Sequence, residues 1–200
     1  MPKVSEAHRR ARREQIATAA LRCFARDGIH GATMDRIIAE AGLSAGALYQ
    51  YFPSKEALVA EVATTATKGF ARIVAAEVGR EPIEAPLVAV PRLIDALSAY
   101  LTQGVADLSR VALQGWAETQ RHPDLALAAQ ANYTVLGDLM KQWLERWRAA
   151  GMVAPDLDSQ ATASVLVSFL IGMLPQRALA ADFDPAAYAR AMAALISSGP

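Results

Sequence analysis

Apolar residues recur at helical spacing through most of this chain, and no stretch alternates apolar and polar residues as a half-buried strand would. The first stripe starts at Arg9 and runs through Ile16, Ala20, Cys23, Phe24 and Asp27. Gly28 is its expected stop, with His30 and Gly31 in the loop beyond. Residues 1–8 lack the pattern and are expected to be mobile. Ile37, Ile38 and Ala41 mark a second, short face between Thr33 and Gly42. A third helix is expected over 45–52, closed by Pro53, because a residue before proline is pushed out of the α region. A long helix follows over 54–80, with Leu58, Val62, Phe70, Ile73 and Val74 inside. Three prolines between 81 and 91 should interrupt it. The pattern resumes over 92–105 with Leu93, Leu97, Tyr100 and Leu101, and again over 108–120. His122, Pro123 and Asp124 form a break, with Asp124 as cap of a long helix over 125–150. Tyr133, Leu136, Met140, Trp143, Leu144 and Trp147 line that helix, and Gly151 stops it. Asp158 should cap a nearly all-apolar helix over 159–180, kinked at Pro175. A last helix is expected over 184–196. The fold class is all-α.

The stretch 33–55 carries the most information. Thr33, Ser44 and Ser54 each precede a helical run and can accept a bond from an orphan backbone N–H. Asp35 places a negative charge at the positive end of its helix, and Gly42 suits the left-handed residue that ends one. Two short helices joined by a glycine turn make a helix-turn-helix. The second helix buries Leu48 and Phe52 at i and i+4. Its outer face is Ser44, Ala45, Gly46, Ala47, Tyr49, Gln50 and Tyr51, with Lys55 just beyond. Small residues at the N-terminal end let backbone approach a surface, and free N–H groups there can take a phosphate. That suits a helix entering a major groove by its N-terminus. A helical hairpin whose tyrosines merely pack explains the same residues equally well.

Charge sharpens the picture only locally. The 200 residues sum to zero net charge, but residues 1–26 carry a net of +5 and residues 63–200 a net of −2. A basic front suggests a local anionic partner. Arg9, Arg10, Arg12 and Arg13 either contact phosphates or the minor groove, or simply solvate a helix start. Cys23 is the single cysteine, on an apolar face, which leaves no internal disulfide framework. No signal peptide pattern is visible, and the most apolar segment, 161–174, reads as too short to span a bilayer. A cytoplasmic protein without membrane association is expected. Enzymatic chemistry finds no constellation. The three histidines, His8, His30 and His122, are scattered, and no nucleophile motif or phosphate-cradling glycine loop occurs. The pairs Asp156/Asp158 and Asp182/Asp184 read as loop and cap residues. No metal and no cofactor is called for. Glu118 would be costly to bury unpaired, so it is exposed, paired, or a partner for a cationic ligand.

The run SAGALYQYFPSKEAL over 44–58 resembles the signature of the TetR family, the tetracycline-repressor-like regulators, as does TMDRIIAEAGL over 33–43. REQI over 13–16 and the run 20–28 are similar to that family's first helix. The resemblance covers about residues 9–62. It implies a DNA-binding domain over 1–62, three helices plus the start of a fourth, and a larger helical ligand-binding and dimerisation domain over 63–200. Thr33, Ser44, Tyr49, Tyr51 and Lys55 would then contact phosphates, while Ala45, Gly46, Ala47 and Gln50 face bases. Gln50 can read adenine and Ala47 can touch a thymine methyl. Many relatives carry lysine where Ala45 stands, so an operator cannot be borrowed from them. The resemblance further implies a small, largely apolar effector in a cavity among Tyr100, Trp116, Gln120, Tyr133, Phe169 and Met173, each of which can equally be ordinary core. It implies a homodimer through the last two helices, which would also cover the helix over 159–180 on its second side. A two-fold dimer would bind double-stranded DNA as an inverted repeat. The expected function is a repressor released by its ligand. Two rivals remain open: a helical small-molecule-binding protein without operator binding, and an α-helical enzyme.

Overall fold

A computed structural model describes residues 6–102 and 104–197. These residues form nine helices and no strand. The first, α1 (Glu6–Gly31), starts earlier than its apolar stripe, so residues 6–8 are helical and only residues 1–5 of the segment expected to be mobile lie outside the described residues. Gly28 does not end α1. It bends it, with φ 76° and ψ 162°, and one further turn carries His30 and Gly31 before Ala32 N–H closes on the Gly28 carbonyl at 3.0 Å. A positive φ costs glycine little and any other residue more.

Local capping governs the next three elements. Thr33 accepts from Arg36 N–H and opens α2 (Met34–Ala41), which Gly42 ends at φ 66°. Ser44 accepts from Ala47 N–H and opens α3 (Ala45–Tyr49). This helix stops three residues short of the expected Phe52, because a turn at 50–51 swings Phe52 into the core. Ser54 caps α4 (Lys55–Val78), which leaves the small N-terminal head and runs into the body.

The body is α5 (Pro86–Thr102), α6 (Leu108–Thr119), α7 (Pro123–Ala149), α8 (Ser159–Leu179) and α9 (Pro185–Ser197). Two expectations about their ends are corrected. The prolines do not clear 81–91 of helix: Pro86 starts α5 and Pro91 lies inside it. An interior proline costs about 3 kcal/mol. Each of Val90, Leu93, Ile94 and Leu97 is fully buried, at about 1.5–3 kcal/mol apiece, so packing outweighs the break. Asp124 does not cap α7. His122 is the N-cap without a side-chain bond, Pro123 takes the first helical position that suits it, and Asp124 stands in the first turn. Asp158 does cap α8, accepting from Gln160 and Ala161 N–H at 2.9 and 3.0 Å.

Two cores result. The body's core centres on Trp143 and Trp147, stacked at 4.2 Å, with Leu93, Leu97, Met140, Leu170 and Met192 around them. The head's core holds Ile16, Phe24, Ile37, Leu48, Phe52 and Leu58, and it also takes in Val111 of α6 and Leu125 of α7. The head therefore closes only against the body.

A third correction concerns α8. With its end turns included it spans 21 residues and is long and apolar enough to cross a membrane, which the segment 161–174 alone understated. Within the single chain it is covered on one side only, as expected of this helix. Ala163, Leu166, Val167, Leu170 and Met173 are buried, while Ala161, Val165, Ser168 and Leu179 are exposed along the opposite stripe.

Candidate nucleic-acid interface and effector cavity

The head presents the outer face of α3 to solvent. Thr33, Ser44, Ala45, Gly46, Tyr49 and Gln50 are exposed, and Ala47 and Tyr51 are half-buried. Gly46 has open space where a Cβ would stand, so its own fold does not require glycine. Tyr51 packs against the head's core. Lys55 is half-buried, and its ammonium donates to the carbonyls of His30 and Ala32 at 3.3 and 3.2 Å. In this conformation it caps the end of α1 rather than reaching outward. The arginines at the start of α1 divide by task. Arg9 and Arg10 are exposed. Arg13 lies over the Phe52 ring at 4.5 Å and pairs with Glu61 at 2.5 Å, which ties α1 to α4. Arg26 and Arg36 both pair with Asp27, at 3.0 and 3.2 Å, and their hydrogen bonds hold that carboxyl below the usual carboxylate range. These contacts fix α2 against α1.

Head and body meet at the bend in α1. There Ile29 N–H has lost its helical acceptor, and Gln114 of α6 supplies one: its Oε1 accepts at 2.7 Å. One turn on, Glu118 is buried, with its carboxylate 3.0 Å from His30 Nε2, 3.4 Å from His122 Nε2 and 3.8 Å from Arg121. Of the three options open to Glu118, pairing is the one realised. Gln114 has no signal in the sequence beyond its i,i+4 spacing to Glu118, because its partner lies 85 positions away.

Behind this junction a cavity of about 440 Å³ opens among α4, α5, α6, α7 and α8, with Phe24 and Ile29 of α1 also reaching it. That size suits a small-molecule site. Three of the six expected residues, Tyr100, Trp116 and Tyr133, line it. The other three do not. Gln120 is exposed at the end of α6, Phe169 packs edge-on against Tyr188 at 6.4 Å, and Met173 is buried in the body's core. Thr64, Lys68 and Asn132 line the cavity with no mark in the sequence to single them out. The Tyr100 hydroxyl donates to the Ala66 carbonyl at 3.0 Å, and burial pushes its phenol up, so it stays neutral.

The sequence profile of the bacterial regulatory proteins of the tetR family matches residues 16–62. Along most of its length the chain is similar to the HTH-type transcriptional repressor Rv1474c of Mycobacterium tuberculosis (strain ATCC 25618 / H37Rv), 34% identical over 190 residues, covering 92% of this chain and 91% of that one. Its fold is similar to that of a TetR transcription regulator from Haloarcula marismortui ATCC 43049, with TM-score 0.79, 20% identity and coverage of 94% and 97% of the two chains. It is also similar in fold to the transcriptional regulator FadR from Bacillus subtilis, solved in complex with stearoyl-CoA, with TM-score 0.75, 17% identity and coverage of 94% and 98%.

Proposed function

Since the chain belongs to the TetR family of DNA-binding, non-enzymatic transcriptional regulators, we propose that it is a cytoplasmic repressor that holds a palindromic operator as a homodimer and lets go when a small, largely apolar molecule fills its cavity. Regulators of this family bind DNA and small-molecule effectors, typically as dimers.

In this reading residues 1–62 are the DNA-binding unit and 63–200 the effector and dimer unit. The exposed face of α3 enters the major groove. Ala45, Gly46, Ala47 and Gln50 meet base edges, and Thr33, Ser44, Tyr49 and Tyr51 meet phosphates. Lys55 joins them by swinging from the α1 carbonyls. The dimer forms through α8 and α9, whose open stripes include Val165 and Leu195, 52% and 65% exposed in the single chain. Two recognition helices about 34–36 Å apart then address an inverted repeat.

The observation that carries the effector's role is the shared wall of the cavity. Val111, Ala112, Gly115 and Trp116 of α6 line it, and the same helix grips the head through Gln114 and Glu118. A molecule that prefers a different position of α6 therefore prefers a different position of the head. Such preference is required, since binding both states equally shifts nothing.

Selection of binding sites from a random DNA pool, at one fixed near-physiological salt, tests the reading. An inverted repeat should emerge, and Tyr49→Phe should weaken binding to it without changing the preferred sequence. Failure of folded, dimeric protein to enrich any site would refute operator binding. A changed preference in the tyrosine variant would refute the phosphate role.

A further inference from the structure

The cavity wall is almost free of charge. Among the described residues its lining includes no aspartate or glutamate, and Lys68 is the one charged side chain. Lys68 lines the cavity while remaining exposed, so it stands where the cavity meets solvent. Thr64 lines the same wall one turn earlier, and Asn132 and Tyr133 face it from α7. Arg72, one turn on and outside the lining, folds back so that its Nε donates to the Lys68 carbonyl at 3.2 Å. The carboxylate that could have served a cation, Glu118, is spent on His30, His122 and Arg121 and lies outside the lining. Tyr100 is held neutral by burial, so it brings no negative charge either.

An unpaired charge taken out of water is expensive. A cationic head group at the mouth would meet Lys68 as a like charge, and deeper in it would lose its hydration with no carboxylate in the described lining to pair with. An anionic amphiphile would meet Lys68 at the rim, with hydroxyl and amide donors beside it, while its chain displaces water from apolar wall. From this we infer that the effector is an amphipathic monoanion: an apolar chain of about a dozen carbons or an equivalent ring system, ending in a carboxylate that rests on Lys68. The inference builds on the reading of this cavity as the effector site.

Three probes of equal chain length separate the alternatives: dodecanoate, dodecyltrimethylammonium and 1-dodecanol. Each is titrated calorimetrically, below its micelle concentration, into the full dimer and into Lys68→Met and Lys68→Arg. Dodecanoate should bind about tenfold more tightly than the ammonium probe, the size of a charge-assisted contact. Lys68→Met should remove most of that advantage and leave dodecanol within about twofold, while Lys68→Arg should restore it. Equal or tighter binding of the ammonium probe, or an unchanged dodecanoate preference in Lys68→Met, would overturn the charge assignment. Binding of none of the three would overturn both that assignment and the cavity as an effector site. Release of operator DNA is measured separately. Probes that bind with the expected charge order but release no operator would refute effector control and leave the ligand chemistry standing.

Discussion

The contact between Gln114 and Ile29 makes the sharpest test of how head and body communicate. The bend at Gly28 strips Ile29 N–H of its helical acceptor, and Gln114 Oε1 replaces it at 2.7 Å. Gln114→Leu keeps the bulk of the side chain and removes the acceptor. Ile29 is buried, so water cannot readily take over. An orphaned donor costs about 1–3 kcal/mol. For a chain of 200 residues that corresponds to a fall in Tm of about 2 °C at the low end and about 12 °C at the high end. Gln114→Glu keeps an acceptor oxygen but sets a second negative charge one turn from Glu118, so it should melt between the parent and the leucine variant. Thermal unfolding followed by circular dichroism measures all three. Operator release reports the functional effect: Gln114→Leu should bind effector nearly as the parent does and release DNA less completely. If the leucine and glutamate variants melt with the parent, Ile29 is not held through this oxygen. If the leucine variant also releases DNA normally, the joint is not the route of control.

Other outcomes follow from the same geometry. Asp27→Asn should destabilise the head at neutral pH and not in strong acid. The native carboxyl, held low by Arg26 and Arg36, contributes stability above the unfolded carboxylate range that is lost as pH falls through its depressed value; melting curves across pH check this. Gly69→Ala should evict Tyr100, since a Cβ there would overlap its hydroxyl and stand 2.9 Å from its Cε2. The bond to Ala66 would break, costing about 1 kcal/mol, and the cavity would change shape, visible as altered probe affinity in calorimetry. Burial pushes the Cys23 thiol up, so it should resist alkylation in the folded protein and react once denatured, as mass spectrometry would show; stability should also fall as pH rises through the ordinary thiol range, where only the unfolded chain ionises.

What the sequence discloses divides by range. Thr33, Gly42, Ser44, Ser54 and Asp158 act on backbone within a few residues of themselves, and their roles are legible in the sequence alone. That of Pro91 is not, because its cost is local and its compensation comes from side chains buried against other helices. Gly28 looks like a helix stop, and the acceptor that takes the next N–H beyond its bend comes from Gln114, far along the chain. The cavity shows the same limit. Helical spacing puts Phe169, Met173 and Gln120 on the right elements, but the direction each faces depends on how α6 and α8 are rotated in the bundle. Lys68 carries no signal of its own, because an exposed lysine on a long helix is ordinary until its neighbours are known to enclose a space.

The incomplete core of the head bears on how such regulators can be recombined. A reading head looks portable, a cassette to be grafted onto another sensor to rewire a genetic circuit. Here the graft would leave Val111 and Leu125 behind, and with them part of the apolar plug beneath Ile16, Phe24 and Leu58. A hybrid cut at residue 62 inherits whatever side chains the new body offers at those two places, and a mismatch there would weaken the grafted head before any DNA is met. A productive chimera would carry its own residues at 111 and 125 along with the head, so the unit that exchanges between regulators is discontinuous in the gene.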